Sequence, residues 1–182
     1  IDCHIGSQIT EVAPYLEAMD RVLDLVGAIE AAGIRIHHID FGGGLGIDYA
    51  GEVPPAADAL WPALLARLDA RGYGDRAILL EPGRSLVGNA GVCLTEVLYL
   101  KPGEQKNFCI VDAAMNDLPR PALYEAFHRI VPLQQAAPDA PAVTCDVVGP
   151  VCESGDWIGR DRPLAVQPGE HLAVLSAGAY CM

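Results

Sequence analysis

IRIHHIDFGGGLG, residues 34–46, is the stretch that decides the fold predicted by this sequence. Its first eight residues favour a β-strand, and the glycines after them favour a turn. A helix is predicted before Gly33, because apolar residues recur there at steps of three and four positions. They are Val12, Tyr15, Leu16, Met19, Val22, Leu23, Val26 and Ile29. With the alternating run IDCHI at residues 1–5, this gives strand, helix, strand, which is typical of a parallel α/β array.

The same alternation continues to about residue 84. A Pro54-Pro55 loop leads to a predicted helix over residues 56–71, and AILLEPGR at 77–84 reads as a third strand with a polar end. Three strands cannot close a barrel by themselves. The sequence therefore predicts an α/β region that is only part of a closed sheet.

The pattern changes beyond Arg84, where strand-like runs alternate with proline and glycine turns. The runs are AGVCLTEVLYLK, NFCIVDAA, AVTCDVVG and HLAVLSAG. A helical pattern is plausible only near residues 119–130. We therefore predict two domains, an α/β region over residues 1–86 and an all-β sandwich or barrel with a short helical insert over residues 87–182.

Composition excludes several classes of function. The 182 residues are 51% hydrophobic, which is enough for a substantial core. The net charge of -12 argues against nucleic acid or an anionic membrane as partner. No apolar run reaches the roughly 20 residues of a membrane span, so a cytoplasmic location is the default expectation. Because the chain starts with Ile1 inside an extended run, we expect it to be the later part of a longer protein.

Polar residues and glycines follow each predicted α/β strand. They lie at the carboxyl end of the strand in each case: His4 and Ser7 for the first strand, Gly42, Gly43 and Gly44 for the second, and Glu81, Pro82, Gly83 and Arg84 for the third. Barrels of this class build active sites at such strand ends. Glycine N–H groups can surround an anion, and Ser7 and Arg84 can add donors, which favours a phosphate. A tight surface turn is the alternative for the glycines, and a buried core histidine is the alternative for His4.

GPVCESGDW, residues 149–157, places Cys152 beside Glu153 in a polar loop. Free cysteines are mostly buried for packing. A loop that also carries Ser154 and Asp156 cannot bury every polar group without a partner for each. The sequence thus favours a loop that presents a thiol, with packing as the alternative. The six cysteines form no CxxC pair, so no metal site is predicted.

Two further segments carry candidate residues with weak local signals. Arg120 and Tyr124 lie four residues apart, on one side of the segment if it is helical, and a surface pair is the alternative. Tyr180 lies two residues from the end of the chain, where fraying is the simplest expectation.

Taken together, six motifs resemble the diaminopimelate decarboxylases, which are pyridoxal-phosphate enzymes of the alanine-racemase and ornithine-decarboxylase fold type. The motifs are HIGSQI, DFGGGLGI, EPGRSLVGNAG, DAAMNDLPRPALY, GPVCESGD and GAY, in the family's order over nearly all of the chain. The resemblance implies the last strands of a (β/α)8 TIM-like barrel over residues 1–86 and a C-terminal β-domain over 87–182. It also implies a homodimer with shared active sites, in which the Cys152 loop reaches the partner subunit's barrel.

The resemblance also implies residues that bind pyridoxal 5'-phosphate. His4 would stack on the pyridine ring and take part in catalysis, and Glu81 would face the ring nitrogen. Ser7 and the glycines, most of all Gly44, would hold the phosphate. The full set is His4, Ser7, Gly42, Gly43, Gly44, Glu81, Pro82, Gly83, Arg84 and Tyr180.

The implied reaction converts meso-2,6-diaminoheptanedioate to L-lysine and CO2, with Cys152 as the catalytic thiol that returns a proton. The expected contacts with the substrate come from Arg84, Arg120, Tyr124, Glu153 and Tyr180. Arginines suit a distal carboxylate, because a guanidinium binds carboxylates with two parallel hydrogen bonds. Glu153 would lie near the distal ammonium group.

One departure from the family is the Schiff-base lysine, which lies upstream of HIGSQ in these enzymes. The chain has only Lys101 and Lys106, both beside a turn in the β half. We therefore expect the chain alone to be inactive. Two alternatives stay open. One is a related pyridoxal-phosphate decarboxylase for a carboxynorspermidine- or arginine-type substrate, and the other is a non-catalytic fragment.

Overall fold

The computed structural model describes residues 1–135, 137 and 139–181. The chain has two compact units, Ile1–Leu86 and Val87–Met182. Within the described residues, none of the helices combines the length and the apolar character needed to cross a membrane.

The first unit contains the two helices that the sequence predicts. Helix α1 spans Ala13–Ala31 and helix α2 spans Ala57–Ala70. Their buried faces form one core with Ile39 and Phe41, and the helical residues of this core are Tyr15, Met19, Leu23, Val26, Leu60, Leu64 and Leu68. After α1 the chain turns at Gly33, whose φ is +87° and whose N–H donates to the Glu30 carbonyl at 2.9 Å. This confirms the predicted helix end.

The strands of the first unit are parallel but shorter than expected. Strand β1 covers only His38–Asp40 of the predicted 34–41, and β2 covers Ala77–Leu79. They pair in parallel with Ile39 opposite Ile78. The extended run at residues 1–5 does not form a regular strand and pairs through a single parallel bridge, Asp2 to Asp40. A short helix α3 at Gly83–Val87, which the sequence did not predict, follows β2.

The described residues of the second unit form a mixed sheet of six strands. In chain order the strands are β3 (Cys93–Lys101), β4 (Asn107–Val111), β5 (Ile130–Pro132), β6 (Val143–Val148), β7 (Trp157–Leu164) and β8 (His171–Val174). Their order across the sheet is β5-β8-β3-β4-β6-β7, with β4 and β6 parallel and the other pairs antiparallel. The two edge strands β5 and β7 also contact each other, so the sheet nearly closes. The all-β architecture is thus confirmed.

The two strands that the sequence did not predict are both edge strands. Strand β5 has only three residues and ends on Pro132, and β7 carries the polar run Arg160-Asp161-Arg162 followed by Pro163. An edge strand tolerates proline and charge, because one side of its backbone pairs with no other strand. The apolar alternation that reveals a central strand is therefore absent from both.

The helix predicted over residues 119–130 is shorter in the structure. Helix α4 spans Pro119–Tyr124, because Glu125 adopts a left-handed conformation with a φ of 53°. The chain then leads directly into β5 at Ile130.

A buried hydroxyl and a carboxylate join β3 to the end of β4. Thr95 is buried, and its hydroxyl donates to the Asp112 carboxylate at 2.6 Å. The Glu96 N–H also donates to Asp112 at 2.8 Å, and the Ala113 N–H donates to the Thr95 oxygen at 3.0 Å. The hydrogen bond from Thr95, followed by those from backbone N–H groups, lowers the pKa of Asp112 below its usual value.

This network predicts a stability that depends on pH. A carboxyl group whose pKa is lowered by folding stabilises the protein above its unfolded pKa of about 3.9, and this contribution is lost as the pH falls through the folded pKa. Asp112→Asn should therefore lower the free energy of unfolding by about 1 kcal/mol near pH 7, since the carboxylate is exposed and partly screened. Urea unfolding near pH 7 and at about pH 3.5 measures the difference, which should shrink at the lower pH. Glu104→Gln is the control, and an Asp112→Asn effect that stays constant with pH would contradict the assignment.

Candidate functional site

Two of the motifs singled out in the sequence are joined by hydrogen bonds in the first unit. The Ile9 N–H donates to the Gly44 carbonyl at 2.9 Å, and the Gly46 N–H donates to the Ile9 carbonyl at 3.0 Å. The Gln8 side chain forms a second connection, because its amide donates to the Ile47 carbonyl at 2.6 Å and accepts from the Ile47 N–H at 3.2 Å. The loop after the first extended run and the glycine turn therefore form one rigid edge.

The three consecutive glycines are required by the close approach of the surrounding backbone. A Cβ atom on Gly42 would lie 2.4 Å from the Cys3 carbonyl oxygen, and one on Gly43 would lie 2.2 Å from that of Glu81. A Cβ on Gly44 would lie 2.2 Å from the Gly6 oxygen. Gly42 and Gly43 are also buried. These positions therefore do not form a simple surface turn, because Gly42 and Gly44 accommodate the N-terminal run and Gly43 accommodates the segment of Glu81.

The N–H groups of these glycines differ in their partners. Gly42 donates to the Asp40 carboxylate at 2.8 Å, and Gly43 donates to Nδ1 of His4 at 3.4 Å. For the Gly44 N–H, the described part of the chain provides no acceptor. Because Nδ1 of His4 accepts a hydrogen bond, a neutral imidazole carries its proton on Nε2. The His4 ring is exposed, so His4 is not the buried core histidine that the sequence left as an alternative.

Arg84 lies at the start of α3 and is buried, with 7% of its surface exposed. Its guanidinium donates to the Ser7 hydroxyl at 2.7 Å and to the Tyr49 hydroxyl. Arg84 thus fixes Ser7, which was predicted to bind phosphate. Tyr49 was not predicted from the sequence, because it has no motif of its own and lies 35 residues from Arg84.

The segment that carries Glu81 is connected to the glycine turn. The Glu81 N–H donates to the Gly42 carbonyl at 2.8 Å, and the Gly83 N–H donates to the Glu81 carbonyl at 2.8 Å. The Pro82 carbonyl accepts from the Ser85 hydroxyl at 3.2 Å, which closes the first turn of α3. Glu81 itself is exposed, and its carboxylate lies within 4.8 Å of those of Asp2 and Asp40.

In the second unit, Arg120 and Tyr124 both belong to α4. Arg120 is half-buried, and its Nη1 lies 3.1 Å from Nε2 of His128. Tyr124 is 74% exposed. His128 was not predicted as a site residue, although it is completely buried and its Nδ1 lies 3.0 Å from the Leu175 carbonyl oxygen.

The loop that carries Cys152 and Glu153 is organised by Asp156. The Asp156 carboxylate is buried and accepts from the Met115 N–H at 2.6 Å and from the Val151 N–H at 2.7 Å. Cys152 and Glu153 are both exposed. Packing therefore does not explain this thiol, and the buried residue of the loop is the acid that the sequence left without a role.

Tyr180 lies in an ordered turn after β8. Its φ is 59°, its side chain is 58% exposed, and the preceding Ala179 is buried. The turn is held by the Ala177 N–H, which donates to the Gly91 carbonyl at 2.9 Å. The segment is thus anchored near the beginning of β3 despite its position near the end of the chain.

Lys106, in the second unit, forms an ion pair. Its ammonium group lies 2.8 Å from the buried carboxylate of Asp146 and 3.8 Å from that of Asp161. The hydrogen bond with Asp146 raises the pKa of Lys106. Lys106 is therefore protonated near neutral pH and unsuited to attack an aldehyde.

Comparison with known proteins gives one consistent result. A family model described as the C-terminal sheet domain of pyridoxal-dependent decarboxylases matches residues 8–178. The chain is 52% identical to the diaminopimelate decarboxylase of Vibrio cholerae over 99% of its length, and 52% identical to that of Pseudomonas aeruginosa. It spans 42% of the length of these curated relatives, or about two fifths.

Solved structures agree in fold. The diaminopimelate decarboxylase of M. jannaschii matches with a TM-score of 0.91 at 38% identity, over 99% of this chain and 42% of the other. The Helicobacter pylori enzyme complexed with L-lysine matches with a TM-score of 0.87 at 39% identity, over 99% of this chain and 44% of the other. A lysine decarboxylase from Selenomonas ruminantium, at 24% identity and a TM-score of 0.85, matches in fold alone.

The packing around the glycines makes a direct prediction about stability. Gly43→Ala should lower the free energy of unfolding by about 1–3 kcal/mol, because the new methyl group overlaps the Glu81 carbonyl. Gly83→Ala is the matched control, since a Cβ there has no neighbour within 4 Å. Thermal and urea unfolding of the two variants checks this. Equal stability of the two variants would show that the Glu81 segment moves aside without cost.

Proposed function

We propose that this chain, which belongs to the pyridoxal-dependent decarboxylase family, is the C-terminal part of an enzyme that converts meso-2,6-diaminoheptanedioate to L-lysine and CO2. The observation that carries the proposal is the 52% identity to the Vibrio cholerae diaminopimelate decarboxylase across 99% of the chain. Such an enzyme is a carboxy-lyase of lysine biosynthesis. The whole activity belongs to the longer protein, because the chain spans about two fifths of that relative.

The glycine edge of the first unit fits the phosphate of pyridoxal 5'-phosphate. The Gly44 N–H has no acceptor in the described residues. The exposed Ser7 lies on the loop that the hydrogen bond from the Ile9 N–H joins to the Gly44 carbonyl. Arg84 holds Ser7 and brings a positive charge to the loop. Backbone N–H groups, a hydroxyl and a guanidinium together form a donor set typical of phosphate sites.

The remaining cofactor contacts come from exposed side chains of the same unit. His4 presents an exposed ring suited to stacking on the pyridine ring, and the exposed Glu81 carboxylate is suited to the ring nitrogen. When bound, pyridoxal 5'-phosphate supplies an acceptor for the electron pair left by departing CO2. A carboxylate at the ring nitrogen favours the protonated ring and so strengthens this acceptor.

Most of the proposed substrate contacts come from residues of the second unit. Arg120 and Tyr124 on α4 would bind the distal carboxylate, and Glu153 would bind the distal ammonium group. Tyr180 would contact both cofactor and substrate. The Cys152 Sγ–H would return a proton to the carbon that has lost CO2. Arg84 contacts Ser7 and Tyr49, so any binding of substrate by Arg84 comes in addition to a role in holding the phosphate loop.

The experiment that tests the proposal uses the full-length protein. Extending the gene upstream of Ile1 and assaying the product with pyridoxal 5'-phosphate should give L-lysine and CO2 from meso-diaminopimelate. Residues 1–182 alone should give neither product, because Lys106 is held by Asp146 and the cofactor lysine of the family lies upstream. Release of CO2 from a carboxynorspermidine- or arginine-type substrate but not from diaminopimelate would support the related decarboxylase instead. Lack of any decarboxylation would favour the non-catalytic fragment.

The cytoplasmic location expected from the sequence stays a prediction.

We further propose that the enzyme is a homodimer in which Cys152 acts at the cofactor bound by the partner subunit. Mixing inactive full-length Cys152→Ala protein with an inactive variant of the cofactor lysine tests the shared site. Random exchange makes half of the dimers mixed and restores one of two sites in each, so about a quarter of the activity should return. No recovery after demonstrated subunit exchange would place the thiol in its own subunit's site or outside catalysis.

A further inference from the structure

His128 is a buried polar residue without a role in the proposed function. None of its surface is exposed, so each ring nitrogen needs a hydrogen-bond partner within the protein. Nδ1 lies 3.0 Å from the Leu175 carbonyl oxygen, and Nε2 lies 3.1 Å from Nη1 of Arg120. The histidine therefore connects the arginine of α4 to the end of β8.

The two contacts define the tautomer of His128. A carbonyl oxygen only accepts, so Nδ1 carries the proton and donates to Leu175. A guanidinium only donates, so Nε2 must present its lone pair to Arg120. The neutral ring with its proton on Nδ1 satisfies both partners. The Leu175 carbonyl at Nδ1 thus makes Nε2 of His128 the hydrogen-bond acceptor.

His128 is itself held by the sheet. Strand β5 begins two residues later and pairs with β8, with Ile130 opposite Val174. The Leu175 N–H donates to the Arg129 carbonyl at 2.8 Å, which extends this ladder by one step. Helix α4 has only six residues and is too short to be stable without tertiary contacts. The His128 imidazole therefore connects the Arg120 guanidinium, which lies on a helix of low intrinsic stability, to a fixed position on the sheet.

We infer that His128 is the positioning residue that orients Arg120 for the distal carboxylate of the substrate. This inference rests on the proposed function, because it assumes that Arg120 meets that carboxylate. The imidazole is uncharged, so it orients the guanidinium without neutralising it. An acidic residue in its place would compete with the substrate carboxylate for the arginine.

Two ligands separate this role from a general structural one. L-Lysine retains only the distal carboxylate of diaminopimelate, and cadaverine retains neither carboxylate. If Arg120 loses its orientation, the affinity for L-lysine should fall and the affinity for cadaverine should not. If the fold as a whole is disturbed, both affinities should fall.

The test compares two substitutions in the full-length enzyme. His128→Asn keeps a donor for the Leu175 carbonyl but removes the acceptor for Arg120, whereas His128→Gln keeps an acceptor near the Nε2 position. We expect His128→Asn to raise the inhibition constant of L-lysine and the KM for diaminopimelate about tenfold, with kcat and the constant for cadaverine changed by less than about twofold. His128→Gln should resemble the wild type. His171→Asn, an exposed histidine at the other end of β8, is the matched control and should change neither constant.

A double variant shows whether His128 acts through Arg120. In an Arg120→Ala background, His128→Asn should cause no further loss of L-lysine affinity. Equal weakening of both ligands by His128→Asn, or no change in either, would overturn the inference. If His128→Asn does not fold, His128→Gln decides: affinities for both ligands close to those of the wild type support the inference, and equal weakening of both overturns it. A wild-type enzyme that makes no lysine from diaminopimelate would instead reject the proposed function.

Discussion

The first unit depends on the absence of side chains at three consecutive positions. Backbone oxygens of two other segments occupy the space that a Cβ would need at Gly42, Gly43 and Gly44: those of Cys3 and Gly6 in the N-terminal run, and that of Glu81 after β2. The segments that approach so closely carry His4, Ser7 and Glu81 at their ends. The same contact therefore packs the loops and brings polar residues to one edge, so the site that we propose for the cofactor is a consequence of the packing.

The second unit fixes its loops with buried polar groups. Asp156 accepts two backbone N–H groups and holds the loop of Cys152, and His128 connects α4 to β8. Asp146 accepts from Lys106 and from the Asp161 N–H. Burial of such groups costs free energy unless each is hydrogen-bonded. A loop held in this way has one favourable conformation, because an alternative would leave a buried donor or acceptor unsatisfied.

The sequence predicted the elements in which apolar residues recur at regular steps. This pattern is present where one face of the element is buried, as in helices α1 and α2 and the central strands β3, β4, β6 and β8. The edge strands β5 and β7 and the short α3 have no such face, and they were not predicted. For α4 the start was predicted but the end was not, since the left-handed Glu125 is specified by its surroundings and not by a glycine.

A similar division holds for the site. Motifs indicated candidate side chains that are exposed, such as His4 in the first unit and Cys152 in the second. They did not indicate the residues that hold them, because a partner such as Tyr49 or His128 is recognised only when the chain is folded. Asp156 was noted as an acid that needs a partner, and the structure supplies that partner as backbone N–H groups.

The distribution of arginine contacts reconciles an acidic chain with the anionic substrate that we propose. The net charge is -12, so binding of a dicarboxylate depends on local positive charge. Arg67 and Arg71 form salt bridges with Asp20 and Asp24, as is usual between surface helices. Arg84 donates to two hydroxyls, and Arg120 contacts an imidazole. A neutral acceptor of this kind helps to fix the direction of a guanidinium and adds no opposing charge of its own. These contacts therefore orient the two arginines proposed to meet anions, and neither net charge nor motif spacing reveals them.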